Sequence, residues 1–157
     1  MSFSKNIFWM VAGVGLLLLD LLSKWLAQEY FTAPIEIWPG VFKFSLSHNT
    51  GVAFSIPIPN AFMIWLAPLL LGILIYSMSR VIDFRYSHAK LCLMFIMAGG
   101  LGNLINRLWT GSVTDFLDFS FWPSFNLADS YLTLGAFLLI IFYGKITLKK
   151  STAYGSK

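Results

Sequence analysis

Charged residues are scarce in this chain. Asp, Glu, Lys and Arg together account for 11% of its 157 residues, whereas a soluble domain of ordinary composition carries roughly 25%. Hydrophobic residues account for 57%, and the mean hydropathy is +0.73. A water-soluble fold of this composition would expose large apolar surfaces. The scarcity of charge therefore excludes an ordinary soluble domain and predicts a chain that folds in a lipid bilayer.

Cysteine and histidine are also scarce, with one and two residues. The single cysteine, Cys92, has no partner for an internal disulfide, and its apolar neighbours indicate a packing residue. His48 and His88 are predicted on opposite sides of the membrane, and no cluster of His, Asp and Glu has metal-ligand spacing. Ser55 and Ser130 have no nearby histidine, which argues against a serine mechanism. We therefore expect no metal and no other cofactor.

The chain contains four long hydrophobic runs. They predict four membrane-spanning helices in a single domain, residues 1–157, with approximate bounds 7–27, 61–79, 90–108 and 129–147. The first run leads into Asp20-Leu-Leu-Ser-Lys24 and not into a small-x-small cleavage site, so we interpret it as a retained helix. The tail, residues 149–157, is polar and is expected to be disordered.

Basic residues are distributed unevenly about the predicted spans. Four spans place both termini on one side, which receives eight basic residues, while the other side receives three. The first group is Lys5, Arg80, Arg85, Lys90, Lys145, Lys149, Lys150 and Lys157, and the second is Lys24, Lys43 and Arg107. The positive-inside rule then places both termini in the cytoplasm. The net charge of +4 thus reports orientation, and we expect no nucleic-acid partner.

The two outer connections carry structure of their own. In the first, about residues 34–56, the alternation from Phe42 to Ser47 predicts a strand with Phe42, Phe44 and Leu46 on one face. Residues 52–55 are predicted to return as its partner strand. The second connection, residues 109–126, is rich in aromatic residues and predicts an interfacial segment along the lipid headgroups. The predicted fold is an all-α membrane bundle with a small extracytoplasmic β-sheet.

Polar residues at membrane depth are costly, and here they gather near the outer side. Asp20 and Lys24 are four residues apart on one helix face, in the favourable order for an ion pair. This pair is either a local one at a helix end or part of a site. Asn103 and Arg107 also share a face. They either bind the carbonyls of an extended peptide or brace neighbouring helices, and the spacing favours neither.

Three aspartates near the outer side are candidates for acid–base chemistry. Asn126 is a plausible N-cap for the fourth span, which places Asp129 at the third helical position, as in a capping box. The same position lets the helix dipole favour an ionised carboxylate. Asp115 lies among aromatics, where desolvation favours its protonated form. One ionised and one protonated carboxyl could activate a shared water, but from composition Asp118 is an equal candidate.

Five sequence blocks occur in order between residues 20 and 129. They are Asp20-Leu-Leu-Ser-Lys24, Asn49-Thr-Gly-Val-Ala-Phe-Ser55, Gly100-Leu-Gly-Asn103-Leu-Ile-Asn-Arg107, Gly111-Ser-Val-Thr-Asp115-Phe116 and Phe125-Asn126-Leu-Ala-Asp129. Each block alone is weak evidence. Together, in a short chain with four predicted spans, they resemble the lipoprotein signal peptidases, also called signal peptidase II.

The resemblance implies a function and a set of residues. It implies an aspartic endopeptidase of the bacterial plasma membrane that removes the signal peptide from diacylglyceryl-modified prolipoproteins, just before the lipidated cysteine. The implied catalytic pair is Asp115 and Asp129, which decides against Asp118. The implied partners are the lipid-modified substrate, membrane lipids and globomycin-type inhibitors, and we expect a monomer. The implied binding residues are Asn49, Asn103, Arg107 and Asn126, and the supporting residues are Asp20, Lys24 and Gly102.

One position departs from the family pattern. An acid usually precedes the arginine of the third block, whereas here Asn106 precedes Arg107. This loss of charge puts a salt bridge at that position in doubt but leaves the catalytic pair intact. Two other functions are compatible with a polar outer site: a small transporter that uses Asp20 and Asp129 as a relay, and a non-catalytic assembly factor. The uncharged second span argues against the transporter.

Overall fold

The computed structural model describes residues 3–50 and 60–147. These residues contain four helices that are long and apolar enough to cross a membrane, as the sequence predicts. They are α1 (Phe3–Tyr30), α2 (Asn60–Val81), α3 (Ser87–Thr110) and α4 (Leu127–Ile146). Most extend a few residues beyond the predicted bounds, because polar residues at their ends continue the helix. The predicted tail and the proposed return strand at residues 52–55 lie outside the described residues.

Helix α3 is the centre of the bundle and packs against each of the other three helices. Small residues allow the closest approach, which is to α4. A Cβ atom on Gly99 would collide with the Ala128 carbonyl and with Leu132, and one on Gly135 would meet Ile96. The glycines of α3 therefore let a neighbouring backbone approach closely, as predicted.

A four-stranded antiparallel sheet lies beyond the helix ends, in the order β1-β2-β3-β4. Its strands are β1 (Ile35–Trp38), β2 (Phe42–Asn49), β3 (Val113–Phe119) and β4 (Trp122–Phe125). The small sheet is confirmed, but the second outer connection is not only an interfacial segment, because most of it forms β3 and β4. Its backbone N–H and C=O groups find partners in the ladder.

Strand β2 has β1 and β3 as neighbours within the described residues. The β2–β3 register shifts between Phe44 and Ser47, which is a bulge. The predicted alternation therefore fails at Leu46, which is 36% exposed, while Phe42 and Phe44 are partly buried. Aromatic contacts across the ladder, such as Phe42 on Phe119 with centroids 4.6 Å apart, hold the two strands together.

One chain turn directs β3 across the end of the bundle that carries the sheet. Helix α3 ends at Thr110, and the next residue, Gly111, has a φ of +79°, the left-handed conformation that closes a helix C-terminus. The sheet then rests on the end of α1, where the ring centroid of Phe31, the residue after the helix, lies 5.4 Å from that of Phe44 and 6.4 Å from that of Phe116. As a result, β3 contacts both α1 and α3 at the end of the bundle that carries the sheet.

Candidate active site

The first turn of α4 places Asp129 at the end of the bundle that carries the sheet. The Asn126 side chain accepts a hydrogen bond from the Asp129 backbone N–H at 3.0 Å, and the Asp129 carboxylate accepts one from the Asn126 N–H at 3.3 Å. The predicted capping box is therefore present. It fixes one carboxylate oxygen of Asp129 at the positive end of the helix dipole, and the other oxygen accepts a hydrogen bond from Asn103.

Asp115 lies on β3, directly beside this cap. Its side chain is 2% exposed, and its carboxylate accepts hydrogen bonds from the amide groups of Asn126 (2.6 Å) and Asn49 (3.2 Å). The Asn126 side chain thus binds the Asp129 backbone with its oxygen and Asp115 with its nitrogen. Because the Asn126 backbone N–H also donates to the Asp129 carboxylate, both carboxylates bind Asn126, which the spacing of the sequence could not establish.

Burial, and after it the negative charge of Asp129, raise the pKa of the Asp115 carboxyl, which lies at about 6. The hydrogen bonds from Asn126 and Asn49, together with the positive charge of Lys24, lower the pKa of Asp115 and limit that rise. The sequence-based expectation of a desolvated Asp115 is consistent with this environment. A carboxyl group of this kind exchanges its proton close to neutral pH.

Asp118, the other candidate on β3, is engaged elsewhere. It accepts a hydrogen bond from the Ser45 hydroxyl at 2.7 Å and forms an ion pair with Lys43 at 3.4 Å. Its side chain is 24% exposed. Asp118 therefore belongs to the surface of the sheet, and it provides a natural control for Asp115.

A buried chain of hydrogen bonds connects Asp129 to α1. The Asn103 amide nitrogen donates to Asp129 at 2.7 Å, and the Lys24 ammonium donates to the Asn103 oxygen at 2.8 Å. Lys24 also donates to Asp20 at 2.8 Å, and the second Asp20 oxygen accepts the Ala128 N–H at 2.8 Å. Lys24 and Asp20 are 1% and 0% exposed. The pair is therefore not merely a local one at a helix end, because it joins α1 to α3 and α4.

Gly102 makes room for this chain. A Cβ atom at this position would overlap the Asp20 carboxylate and would crowd the Ala128 side chain. Asn103, the next residue, braces α1 and α4 through Lys24 and Asp129, so bracing is the role that its contacts support. Arg107 is 7% exposed one turn later, where the charges of Asp129 and Asp115 act on its guanidinium.

Three further residues hold the strand that carries Asp115, and sequence reasoning did not assign them this role. Thr114 is fully buried; its hydroxyl accepts a hydrogen bond from Gln28, and its backbone N–H donates to the Asn106 oxygen at 2.6 Å. Gln28 lies four residues after Lys24 on α1, so its helical spacing was a usable signal. The Thr114 contacts link three distant segments, and no local pattern predicts them.

Asn106 therefore acts as an acceptor for β3. We expect Asn106→Ala to lower the free energy of unfolding by about 1–3 kcal/mol, because the buried Thr114 N–H loses its partner. Asn106→Asp keeps an acceptor oxygen and is expected to change the single-turnover cleavage rate less than about threefold. Thermal unfolding in detergent and single-turnover kinetics measure the two effects. A large rate change in Asn106→Asp with unchanged stability would contradict this role.

Metal ligation has no support in residues 3–50 and 60–147, where no three His, Cys, Asp or Glu side chains form a suitable group. Near Asp115 and Asp129 lie the amide groups of Asn49, Asn103 and Asn126, the Arg107 guanidinium and the Lys24 ammonium, and the two cationic groups are hydrogen-bond donors only. The arrangement suits chemistry performed by the two carboxyl groups.

Comparison with known proteins places this site in a family. The family model of signal peptidase (SPase) II, Peptidase_A8, matches residues 12–144. The lipoprotein signal peptidase of Chlorobium phaeovibrioides is 38% identical over 168 residues, which cover 94% of each chain. That of Aquifex aeolicus is 32% identical over 166 residues, which cover 94% of this chain and 95% of the relative.

Solved structures are similar over the same extent. One bacterial membrane enzyme, solved by the in meso method at 2.3 Å resolution, superposes with a TM-score of 0.76 at 26% identity, covering 96% of this chain and 93% of the other. A second, solved at 1.9 Å resolution, gives a TM-score of 0.69 at 27% identity, covering 85% and 90%. The matches extend over the helices, the sheet and the two aspartates, and they show that the chain belongs to the signal peptidase II family, the lipoprotein signal peptidases.

Proposed function

We propose that this protein is an aspartic endopeptidase in which Asp115 and Asp129 activate a water molecule. The family supports cleavage of the signal peptide of a prolipoprotein. The observation that carries the aspartic mechanism is the Asn126 side chain, which binds both the Asp115 carboxylate and the Asp129 backbone. We propose that Asn126, which donates to both carboxylates, holds the two groups close enough to act on one water.

The proposed reaction needs one proton shared between the two acids. The ionised carboxylate removes a proton from the water as its oxygen bonds to the scissile carbonyl carbon, while the protonated carboxyl donates to the carbonyl oxygen. The tetrahedral intermediate then collapses, the peptide C–N bond breaks, and the leaving amine takes up a proton. We assign these roles to the pair as a unit, because coupled acids titrate together.

The donors around the pair are proposed to serve the substrate. Asn49 donates to Asp115, and Arg107 lies where the charges of both aspartates act on its guanidinium; we propose that both bind carbonyl groups of an extended peptide. Asn103 and Asn126 act through the carboxylates that they orient. Asp20, Lys24 and Gly102 support Asn103 and the start of α4.

We propose that the site faces the outer side of the bacterial plasma membrane, with both termini in the cytoplasm. The site residues lie near the outer ends of α1 and α3 and at the start of α4, whereas Arg80, Lys90 and Lys145 lie at the opposite ends of their helices. The positive-inside rule supports this orientation. We further propose a monomer of one domain, residues 1–157, in contact with membrane lipids and inhibited by globomycin-type peptides.

The substrate proposal has a direct test. Purified protein in detergent is incubated with a prolipoprotein that carries diacylglyceryl on its cysteine, and with the same polypeptide without the lipid. We expect cleavage of the lipid-modified form only, with a product that begins at the modified cysteine in intact mass spectra. Equal cleavage of both forms, or cleavage at another bond, would overturn the proposal.

The pH dependence of cleavage reports on the shared proton. We expect kcat/KM to fall as the pH rises through about 6, because Asp115 then loses the proton that the pair requires. Asn49→Ala removes a hydrogen bond that lowers the pKa of Asp115, so the decline should move to higher pH. Asp118→Asn is the control and should leave the midpoint unchanged. A midpoint in Asn49→Ala at or below that of the wild type would contradict this account.

A further inference from the structure

An apolar groove runs along the bundle surface between α1 and α3, away from the catalytic residues. It encloses about 300 Å³. Its walls are Trp9, Met10, Gly13, Val14 and Leu17 from α1, and Leu93, Met94, Met97, Ala98 and Leu101 from α3. Most of these residues belong to the halves of the two helices that lie opposite the sheet, and neither Asp115 nor Asp129 lines the groove.

A single cationic residue, Lys90, lies at one end of the groove. Its ammonium group donates to the Asn6 side chain at an exposed position, with a distance of 2.7 Å. An ammonium group carries three N–H donors, so this bond leaves two for another acceptor. Within the described residues, the ion pairs of this chain involve other basic side chains.

We propose that this groove binds one acyl chain of an anionic phospholipid, with the lipid phosphate on Lys90 and Asn6. Charge complementarity selects the headgroup, because a basic group at the membrane surface attracts an anionic lipid. The length of the groove favours an acyl chain over a small molecule. Lys90 and Leu101 are separated by roughly 16 Å along α3, about half of a hydrocarbon core of roughly 30 Å.

The composition of the groove also suits a flexible hydrocarbon. Three of its lining residues are methionines, Met10, Met94 and Met97, whose unbranched side chains adapt to a mobile partner. Gly13 lines the groove without a side chain, and a Cβ atom there would come within 3.3 Å of Met94. A larger residue at position 13 would therefore take up space that the acyl chain requires. Its contact would be with Met94, a flexible side chain that can move aside, so the helices need not separate.

Native mass spectrometry tests this site with dioleoyl phosphatidylglycerol as the anionic probe and dioleoyl phosphatidylcholine as the neutral one. The purified full chain in detergent is expected to retain one phosphatidylglycerol under conditions that remove phosphatidylcholine. Lys90→Gln should reduce the retained phosphatidylglycerol about fivefold, the factor that corresponds to about 1 kcal/mol for one lysine at an anionic lipid surface. Gly13→Leu should reduce it as well, because the groove is filled while the charge remains.

Lys145→Gln is the matched control. Lys145 is exposed at the same end of the bundle, 5.9 Å from the centre of the Phe142 ring and outside the groove, so its loss should leave lipid retention unchanged. Equal losses in Lys145→Gln and Lys90→Gln would show a general basic surface and overturn the proposal. Full retention in Gly13→Leu, equal retention of both lipids, or a second protein copy in place of the lipid would also overturn it. Cleavage of the lipid-modified substrate checks that each variant is folded.

Discussion

Asp115→Asn and Asp129→Asn are each expected to lower the rate of prolipoprotein cleavage by roughly 10³-fold or more. Positioned acid and base groups contribute about 10²–10⁴-fold, and an amide supplies neither a proton nor a base at neutral pH. Asparagine has nearly the size of aspartate and can still accept hydrogen bonds from Asn126 and Asn103. The loss should therefore appear in single-turnover rates, with little change in the thermal unfolding temperature.

Asp118→Asn provides the control for these variants. It removes the same charge from the same strand, three residues after Asp115, but Asp118 pairs with Lys43 at a partly exposed position. Its cleavage rate should stay within about threefold of the wild type, since exposed ion pairs contribute little. Near-wild-type cleavage in either Asp115→Asn or Asp129→Asn would show that the pair is not catalytic. If cleavage of lipid-modified substrate persists in both, the aspartic mechanism fails even though the substrate assignment stands.

The parts of this structure that local spacing determines were predictable from the sequence. Hydrophobic length predicted the four helices, and the Asn126–Asp129 spacing predicted the capping box. The spacing of Asp20 and Lys24 predicted their ion pair. Each of these features depends on residues within one turn or one span of each other, where helical geometry alone fixes which side chains meet.

The parts that depend on distant contacts were not predictable in this way. The pairing of β2 with β3 joins residues about 70 positions apart, and short strands with a bulge carry no signal that selects the partner. The contact between Lys24 and Asn103 joins α1 to α3, and the helical spacing within either helix does not predict it. The choice of Asp115 over Asp118 came from the family resemblance, and the Asn126 contact now gives it a physical reason.

Lys24→Met is expected to destabilise the protein by about 3–5 kcal/mol, because it leaves the buried Asp20 carboxylate without its positive partner. Methionine fills a similar volume, so the loss reports the charge and not a cavity. Lys43→Met makes the same change in the partly exposed pair with Asp118 and should cost at most about 1 kcal/mol. Unfolding temperatures in detergent compare the two. Equal effects would show that burial of the Asp20–Lys24 pair is energetically unimportant.

The double variant Asp20→Asn/Lys24→Met separates stability from positioning. It removes both buried charges and keeps an oxygen that can accept the Ala128 N–H, so much of the lost stability should return. The Asn103 oxygen still loses the Lys24 ammonium that fixes its orientation, so the Asn103 amide can rotate away from Asp129. We therefore expect near-normal unfolding temperatures with a cleavage rate reduced about tenfold or more. Residues that orient the ligands of metal sites have effects of this size when they are removed. A double variant that recovers both stability and rate would show that Lys24 stabilises the fold without positioning Asp129.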